Sequence, residues 1–141
     1  LFFKQGPVLT LNNPSDQIKR GQYLVEGPGH CGECHTPRNL LGGPKFGQWL
    51  AGAVNPEGEG VIQNITTGEG GIADWSESQL ASMLKDGFTP EFDSVGGSMT
   101  AVVANWSHVS DEDRAAVAAY LKAVPAHANG YPVLTKPAAN Q

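Results

Sequence analysis

Residues 27–39 read GPGHCGECHTPRN. It contains Cys31 and Cys34, the two cysteines of the 141-residue chain, with His35 directly after the second. Two cysteines at this spacing serve a dithiol redox site, a structural zinc site or the covalent attachment of a haem. A dithiol redox site has no use for the adjoining histidine. A zinc site needs four ligands, and the other histidines of the sequence form no closely spaced pair to complete one.

The C-x-x-C-H pattern favours covalent haem attachment. Two thiols add to the two vinyl groups of a haem, and the next residue brings its imidazole under the iron. Both anchors and the ligand must come from one tight turn, which is what this spacing provides. We therefore predict one haem c, with thioether bonds from Cys31 and Cys34 and with His35 as an axial iron ligand.

The composition is that of a globular chain built from few helices and long loops. Hydrophobic residues make up 40% and charged residues 16%, and there are 18 glycines and 10 prolines. The formal net charge of −5 argues against a nucleic-acid partner. A protein partner would offer a basic face or apolar contact around an exposed haem edge. No apolar run reaches membrane-spanning length, so we expect no transmembrane segment.

Capping signals predict three helices. Ser15 is an N-cap after Pro14, and the first helix runs to about Glu26. The second starts with the capping box of Ser76 and Gln79, with Trp75 and Leu80 as its hydrophobic staple, and ends at Gly87. The third starts at Ser110 and ends at Pro125. The expected organisation is an arm or interdomain linker over 1–14, a haem domain over 15–125 and a tail over 126–141, with one short hairpin in the loops between residues 36 and 74.

Helical periodicity indicates how these helices pack. Glycine inside a helix costs about 1 kcal/mol relative to alanine, so Gly21 calls for a close neighbour. Tyr120 of the third helix is the candidate, and we expect the first and third helices to cross there. Leu80, Met83 and Leu84 form the buried stripe of the second helix.

The second axial ligand is sought among the methionines and the remaining histidines. Met83 lies on an apolar helical stripe, where packing explains it. Met99 lies in the sequence GGSMT, a flexible loop ahead of the last helix, where a thioether calls for another role. His30 precedes the first cysteine too closely to reach the opposite haem face. We predict Met99 as the ligand and His108 as the alternative. His127 is a further histidine among the candidates.

Other side chains are candidates for secondary contacts. The second ring N–H of His35 should donate to a backbone carbonyl, and the loops at Pro37 and Pro44 offer nearby ones. Five residues are candidates for hydrogen bonds to the haem propionates: Arg38, Asn64, Thr66, Trp49 and Trp75.

These elements resemble those of class I cytochromes c. RGQYLVEGPGHCGECHTPRNLLGG, QNITTGEGGIADWSESQLASMLKDG and MTAVVANWSHVSDEDRAAVAAYLKAVP are similar to blocks of the multi-haem cytochrome c subunits of bacterial membrane-bound alcohol and sugar-acid dehydrogenases. The resemblance covers residues 18–125. It implies an all-α class I fold with three to four helices and long loops around one haem, His35 and Met99 as axial ligands, and a periplasmic location.

The sequence also departs from that family. Its subunits carry several C-x-x-C-H motifs and usually a proline near the ligand methionine, whereas this chain has one motif and Ser98 and Thr100 beside Met99. The opening LFFKQGP is similar to a linker before a later haem module and is no signal peptide. We therefore expect one domain of a larger di- or multi-haem cytochrome, or a chain whose leader was removed. A free mono-haem carrier is the alternative.

Three functions follow from these observations. The first is an electron-transfer module, not itself an enzyme, that serves a redox partner, another haem domain or a dehydrogenase subunit. The second is the haem domain of a di-haem enzyme that oxidises a small substrate at a haem with a labile distal ligand. The third is a thiol oxidoreductase without haem.

Overall fold

The computed structural model describes residues 3–132, which form five α-helices and a small antiparallel sheet joined by long loops. This confirms the predicted all-α architecture and the predicted short hairpin. The sheet pairs Ala53 with Ile62 and Val54 with Val61. The elements are α1 (Asp16–Glu26), α2 (Cys31–His35), β1 (Ala53–Val54), β2 (Val61–Ile62), α3 (Glu77–Asp86), α4 (Met99–Trp106) and α5 (Asp111–Ala123).

The predicted helix ends are confirmed by their caps. The Ser15 hydroxyl accepts the backbone N–H of Ile18, and Ser110 caps α5 in the same way. At α3, Ser76 and Gln79 form both hydrogen bonds of the capping box. Gly87 ends α3 in the left-handed conformation at φ 80°. Each cap satisfies helix-terminal groups through a neighbour a few residues away, so the local sequence was sufficient to predict it.

Helices α1 and α5 cross where Gly21 meets Tyr120, as predicted. A Cβ at Gly21 would lie 1.9 Å from the carbonyl oxygen of Ala116 and 2.8 Å from the Cβ of Tyr120. Tyr120 is fully buried. The two backbones approach so closely that only glycine fits at this position.

The core lies between α1, α3 and α5 and continues into the loop before β1. Leu80 and Leu84 are buried, while Met83 is partly buried and packs against the same cluster. The buried hydrophobic cluster consists of Leu24, Val25, Trp49, Leu50, Ile72, Leu80, Leu84, Trp106, Val117, Ala118, Tyr120, Leu121 and Val124.

The expectation that Met99 lies in a loop is wrong, because Met99 belongs to helix α4. Met99 is the first residue of this helix and is partly buried. The preceding Ser98 makes no side-chain cap hydrogen bond. The helix sequence MTAVVANW has no charged residue that would distinguish a solvent-exposed face from an apolar one. Because it has neither a cap nor a clear periodicity, this helix could not be predicted from the sequence.

The N-terminal arm is bonded to the helical core. The backbone N–H groups of Val8 and Leu9 donate to the carboxylate of Glu26, at 2.7 and 3.3 Å. The same carboxylate accepts the Tyr120 hydroxyl at 2.6 Å. Of the predicted arm over 1–14, residues 1 and 2 lie outside the described residues.

The chain after α5 also folds back. Residues 126–131, which we call the C-terminal strap, run along the loops around β1 and β2, where the N–H of Gly130 donates to the carbonyl of Ala51 at 2.9 Å. Of the predicted tail, residues 133–141 lie outside the described residues.

Two loops, residues 37–45 and 87–95, are small hairpins of the same design. In each, the first residue accepts an N–H from the ninth, and the third donates to the seventh. Each also has an isolated antiparallel bridge between its second and eighth residues. Leu40 and Leu41 are exposed on the first hairpin and Phe92 on the second. Within residues 3–132, none of the helices has the length and apolar character needed to span a membrane.

Candidate haem site

The CGECH motif folds as the single helical turn α2. Cys31 and Cys34 are free thiols three residues apart, so they lie on the same side of the turn. His30 precedes the turn in the left-handed conformation at φ 51°. One short turn therefore presents both thiols and the His35 ring.

Gly32 is required inside this turn because the Trp49 indole lies against it. A Cβ at Gly32 would be 2.0 Å from the Trp49 ring. Trp49 is buried, and its Nε1–H donates to the Tyr120 hydroxyl at 3.2 Å. This contact was not predicted from the sequence, although a glycine between the two cysteines was a signal for it. The indole fixes the back of the turn against the helical core.

The His35 ring is fixed by a backbone carbonyl. Its Nδ1 lies 2.7 Å from the carbonyl oxygen of Gln63. Since a carbonyl only accepts, Nδ1 carries the hydrogen, and Nε2 keeps its lone pair free for a metal. The predicted hydrogen bond to a carbonyl is thus present. Its acceptor is Gln63 and not one near Pro37 or Pro44. The Pro37 carbonyl instead accepts the N–H of Lys45 within the first hairpin.

Burial sets the protonation states of these groups. Desolvation lowers the pKa of His35 below its ordinary value, against the opposing effect of the hydrogen bond to Gln63. The imidazole is therefore neutral at neutral pH, the form that binds iron. Burial raises the pKa of the Cys31 thiol to about 11, with a smaller contribution from Cys34. A dithiol redox enzyme needs the opposite, a lowered thiol pKa.

The donor set fits a covalently attached haem. Among residues 3–132, no three His, Cys, Asp or Glu side chains lie close enough together to hold a metal ion. The two thiols and one neutral imidazole of α2 thus have no further ligands of these types with which to form a zinc site. They match the two vinyl groups and one axial position of a haem.

The candidates for the second axial ligand lie on different elements. Met99 opens α4, whereas Met83 lies on α3 against the hydrophobic core. His108 is exposed in the turn between α4 and α5, and His30 is exposed beside the motif. His127 lies on the C-terminal strap. The assignment of Met99 stays a prediction.

The candidates for propionate contacts have other bonds in this structure. Arg38 donates to the carbonyl of Gly42 at 2.7 Å and to the carboxylate of Glu33 at 2.8 Å, which ties the first hairpin to α2. Asn64 and Thr66 are buried and bonded to the C-terminal strap. Trp75 is half-buried and packs against the core. The propionate contacts of these residues and of Trp49 stay predictions.

Comparisons with known proteins agree with this chemistry. A family model described as Cytochrome c matches residues 18–125. The "Diheme cytochrome c-type" protein of Cereibacter sphaeroides is 59% identical over 108 residues, which are 77% of this chain and 36% of that protein. The fructose dehydrogenase cytochrome subunit of Gluconobacter japonicus is 40% identical over 115 residues, 81% of this chain and 23% of that subunit.

A third relative is the cytochrome c subunit of the alcohol dehydrogenase (quinone) of Gluconobacter oxydans. It is 34% identical over 130 residues, covering 81% of this chain and 25% of that subunit. The chain spans between 23% and 36% of the length of these three relatives. The predicted resemblance to the cytochrome c subunits of dehydrogenases is confirmed.

Proposed function

This chain belongs to the cytochrome c family, and we propose that it is a single-haem electron-transfer domain whose iron is held by His35 and Met99. Cytochrome c domains are electron carriers, so the chain passes electrons and does not itself catalyse a bond change. The observation that carries the proposal is the single CGECH turn, in which His35 is neutral, held at Nδ1 by Gln63 and free at Nε2.

The residues around this turn have distinct roles. When bound, a haem supplies a ferric–ferrous couple that takes and returns one electron. Cys31 and Cys34 anchor it through thioether bonds, and His35 supplies the proximal imidazole. The thioether of Met99 stabilises ferrous iron, which raises the reduction potential relative to two imidazoles. With both axial positions filled, none is open to oxygen or peroxide.

The proposal extends to a larger protein and a partner. Because the relatives are a diheme cytochrome and dehydrogenase cytochrome subunits, and this chain matches between 23% and 36% of their length, we infer one haem domain of a di- or multi-haem cytochrome. Its electrons pass between a dehydrogenase or neighbouring haem domain and a respiratory acceptor in the bacterial periplasm. The exposed Leu40 and Leu41, close behind the CGECH turn, offer apolar contact to such a partner.

Replacement of each methionine tests the ligand assignment. Met99→Ala should lower the reduction potential and allow carbon monoxide to bind the ferrous protein, because it removes a thioether and opens an axial position. Met83→Ala is the matched control. Its side chain packs against the core, so this variant should lose stability but keep its potential and its resistance to carbon monoxide.

Two outcomes would overturn the assignment. If Met83→Ala opens the iron and Met99→Ala does not, the ligand is on α3. If the unmodified protein binds carbon monoxide as fast as Met99→Ala does, the distal ligand is labile or absent. The result would then favour a haem enzyme that oxidises a small substrate.

A further inference from the structure

The C-terminal strap lies beyond residues 18–125, the stretch matched by the family model, yet it is bonded to both loop segments that hold His35. One segment holds the backbone of His35 and the other holds its ring.

The first segment contains Ala51 and Gly52. The N–H of Gly52 donates to the backbone carbonyl of His35 at 2.7 Å, and the carbonyl of Ala51 accepts the N–H of Gly130 at 2.9 Å. The strap is closely fitted here, since a Cβ at Gly130 would lie 2.3 Å from the Gly52 carbonyl oxygen and 2.8 Å from the Pro37 ring. The strap therefore lies directly on the residue that holds the His35 backbone.

The second segment contains Gln63 and Asn64. Gln63 accepts the Nδ1–H of His35, and Asn64, the next residue, is 2% exposed. The amide Nδ2 of Asn64 donates to the carbonyl of His127 at 3.0 Å and to Oδ1 of Asn129 at 3.1 Å. The side chain next to the ring acceptor thus holds two residues of the strap.

Thr66 completes this attachment. Its backbone N–H and its hydroxyl both donate to Oδ1 of Asn64, at 2.9 and 2.8 Å, and its Oγ1 accepts the N–H of His127 at 3.1 Å. Gly68 gives the strap room to pass, because a Cβ there would lie 1.9 Å from the His127 carbonyl oxygen. Asn64 and Thr66 are buried with their polar groups bonded within the protein, so their arrangement is explained by the strap without a propionate.

We propose that Asn64 and the C-terminal strap are positioning elements for the proximal imidazole. They fix the Gln63 carbonyl and the His35 backbone relative to each other, and so they set the strength of the Nδ1–H···O bond. This inference rests on the proposed ligation of the haem iron by His35. A strong hydrogen bond at Nδ1 makes the imidazole a better donor, which favours ferric iron and keeps the reduction potential low. Displacing the strap loosens this bond and raises the potential.

Glycine substitutions along the strap test the proposal in the intact haem-loaded chain. Gly130→Ala places a Cβ on the strap itself, against the Gly52 carbonyl, and Gly68→Ala places one on the loop that faces the strap, against the His127 carbonyl. Neither substitution alters His35 or Gln63. Gly58→Ala is the matched control, because its Cβ would have open space. We expect both strap variants to have a higher reduction potential and faster hydrogen exchange at the Gly52 amide, and the control to match the wild type. An unchanged potential and unchanged exchange in both strap variants would overturn the proposal.

Asn129→Ala keeps the proposal testable if the glycine variants do not fold. It removes one acceptor of the Asn64 amide and leaves no clash. It should raise the potential above that of the wild type, and an unchanged potential would overturn the proposal. Failure of the proposed function is separately visible, since the wild-type protein would then lack the spectrum of a His-ligated c-type haem before any variant is compared.

Discussion

At the scale of single residues, Tyr120 connects the CGECH turn to the N-terminal arm. Its hydroxyl accepts the Trp49 Nε1–H at 3.2 Å and donates to Glu26 at 2.6 Å, and Glu26 in turn accepts the backbone of the arm. At the other end of this series of hydrogen bonds, the Trp49 indole lies against Gly32 of the CGECH turn. Burial, with a further contribution from Glu26, raises the pKa of the Tyr120 hydroxyl far above its ordinary value. The folded protein therefore requires the neutral phenol.

Tyr120→Phe should change the dependence of stability on alkaline pH. The unfolded phenol ionises at its ordinary pKa of about 10 while the folded one does not, so the unfolded state binds fewer protons above that pH and the wild-type free energy of unfolding falls as pH rises. The variant should lose about 1–3 kcal/mol at neutral pH, since Trp49 loses its acceptor, but should show a shallower alkaline decline. Urea unfolding across this pH range measures both. An equally steep decline in the variant would contradict the account.

The sequence was informative about residues whose role is set by their neighbours in the chain. Cys31, Cys34 and His35 were predicted as haem anchors and iron ligand from spacing alone, and the need of His35 for a carbonyl acceptor was predicted from general chemistry. That the acceptor is Gln63, 28 residues away, depends on how the loops return to the turn, which no local pattern encodes. Asn64 was predicted to hydrogen-bond a propionate. Its hydrogen bonds to the strap join residues more than 60 positions apart in the sequence, which no local pattern indicates.

At the scale of elements, the crossing of α1 and α5 holds the fold together. Gly21 lies at the closest approach, against the backbone of Ala116. A bidentate pair between Arg20 and Asp113, with both contacts at 2.9 Å, joins the same two helices at the surface. Exposed ion pairs contribute little to stability, so the fit at Gly21 has the larger effect.

Gly21→Ala should destabilise the protein although alanine is the better helix former. The gain in helix propensity is about 1 kcal/mol. Overpacking against a backbone carbonyl costs about 3 kcal/mol, the upper end of its usual range. The net loss is then about 2 kcal/mol, measured by chemical unfolding. Gln17→Ala, at an exposed position of α1, is the control and should change little. Unchanged or greater stability of Gly21→Ala would show that the helices do not approach as described.

The elements differ in how far their sequences specify them. The caps at Ser15, Ser76 and Ser110 act over three residues, so the starts of α1, α3 and α5 were predicted correctly. Helix α4 lacks such a cap and forms beside α3 and α5 in the folded chain. The arm and the strap have no periodicity of their own, and they are ordered by side chains distant in sequence. Tertiary contacts, not local propensity, decide these three elements.

At the scale of the whole molecule, we expect net charge to influence encounters with the proposed redox partners. The formal net charge is −5, and haem propionates add to it. Such a protein attracts cationic partners at a distance, and the attraction is screened over about 10 Å at 0.1 M ionic strength.

The rate of electron exchange with small metal complexes should therefore change with salt in opposite directions for cationic and anionic complexes. Oxidation of the ferrous protein by a cationic cobalt complex should slow as ionic strength rises, because screening weakens the attraction. Oxidation by ferricyanide, an anion, should become faster. Stopped-flow rates with the two oxidants measure the effect, and the same sign for both would show that net charge does not govern the approach to the haem.

Visible spectra of the purified chain would show whether it is an electron carrier with a haem c ligated by His35 and Met99. The spectra are recorded for the ferric form and again after reduction with dithionite. We expect sharp c-type bands on reduction and, in the ferric form, the weak long-wavelength band of methionine-ligated iron. Haem bands without that band would contradict Met99 as ligand and bring His108 forward. The absence of any haem band would contradict the reading of Cys31, Cys34 and His35 as a haem-attachment site.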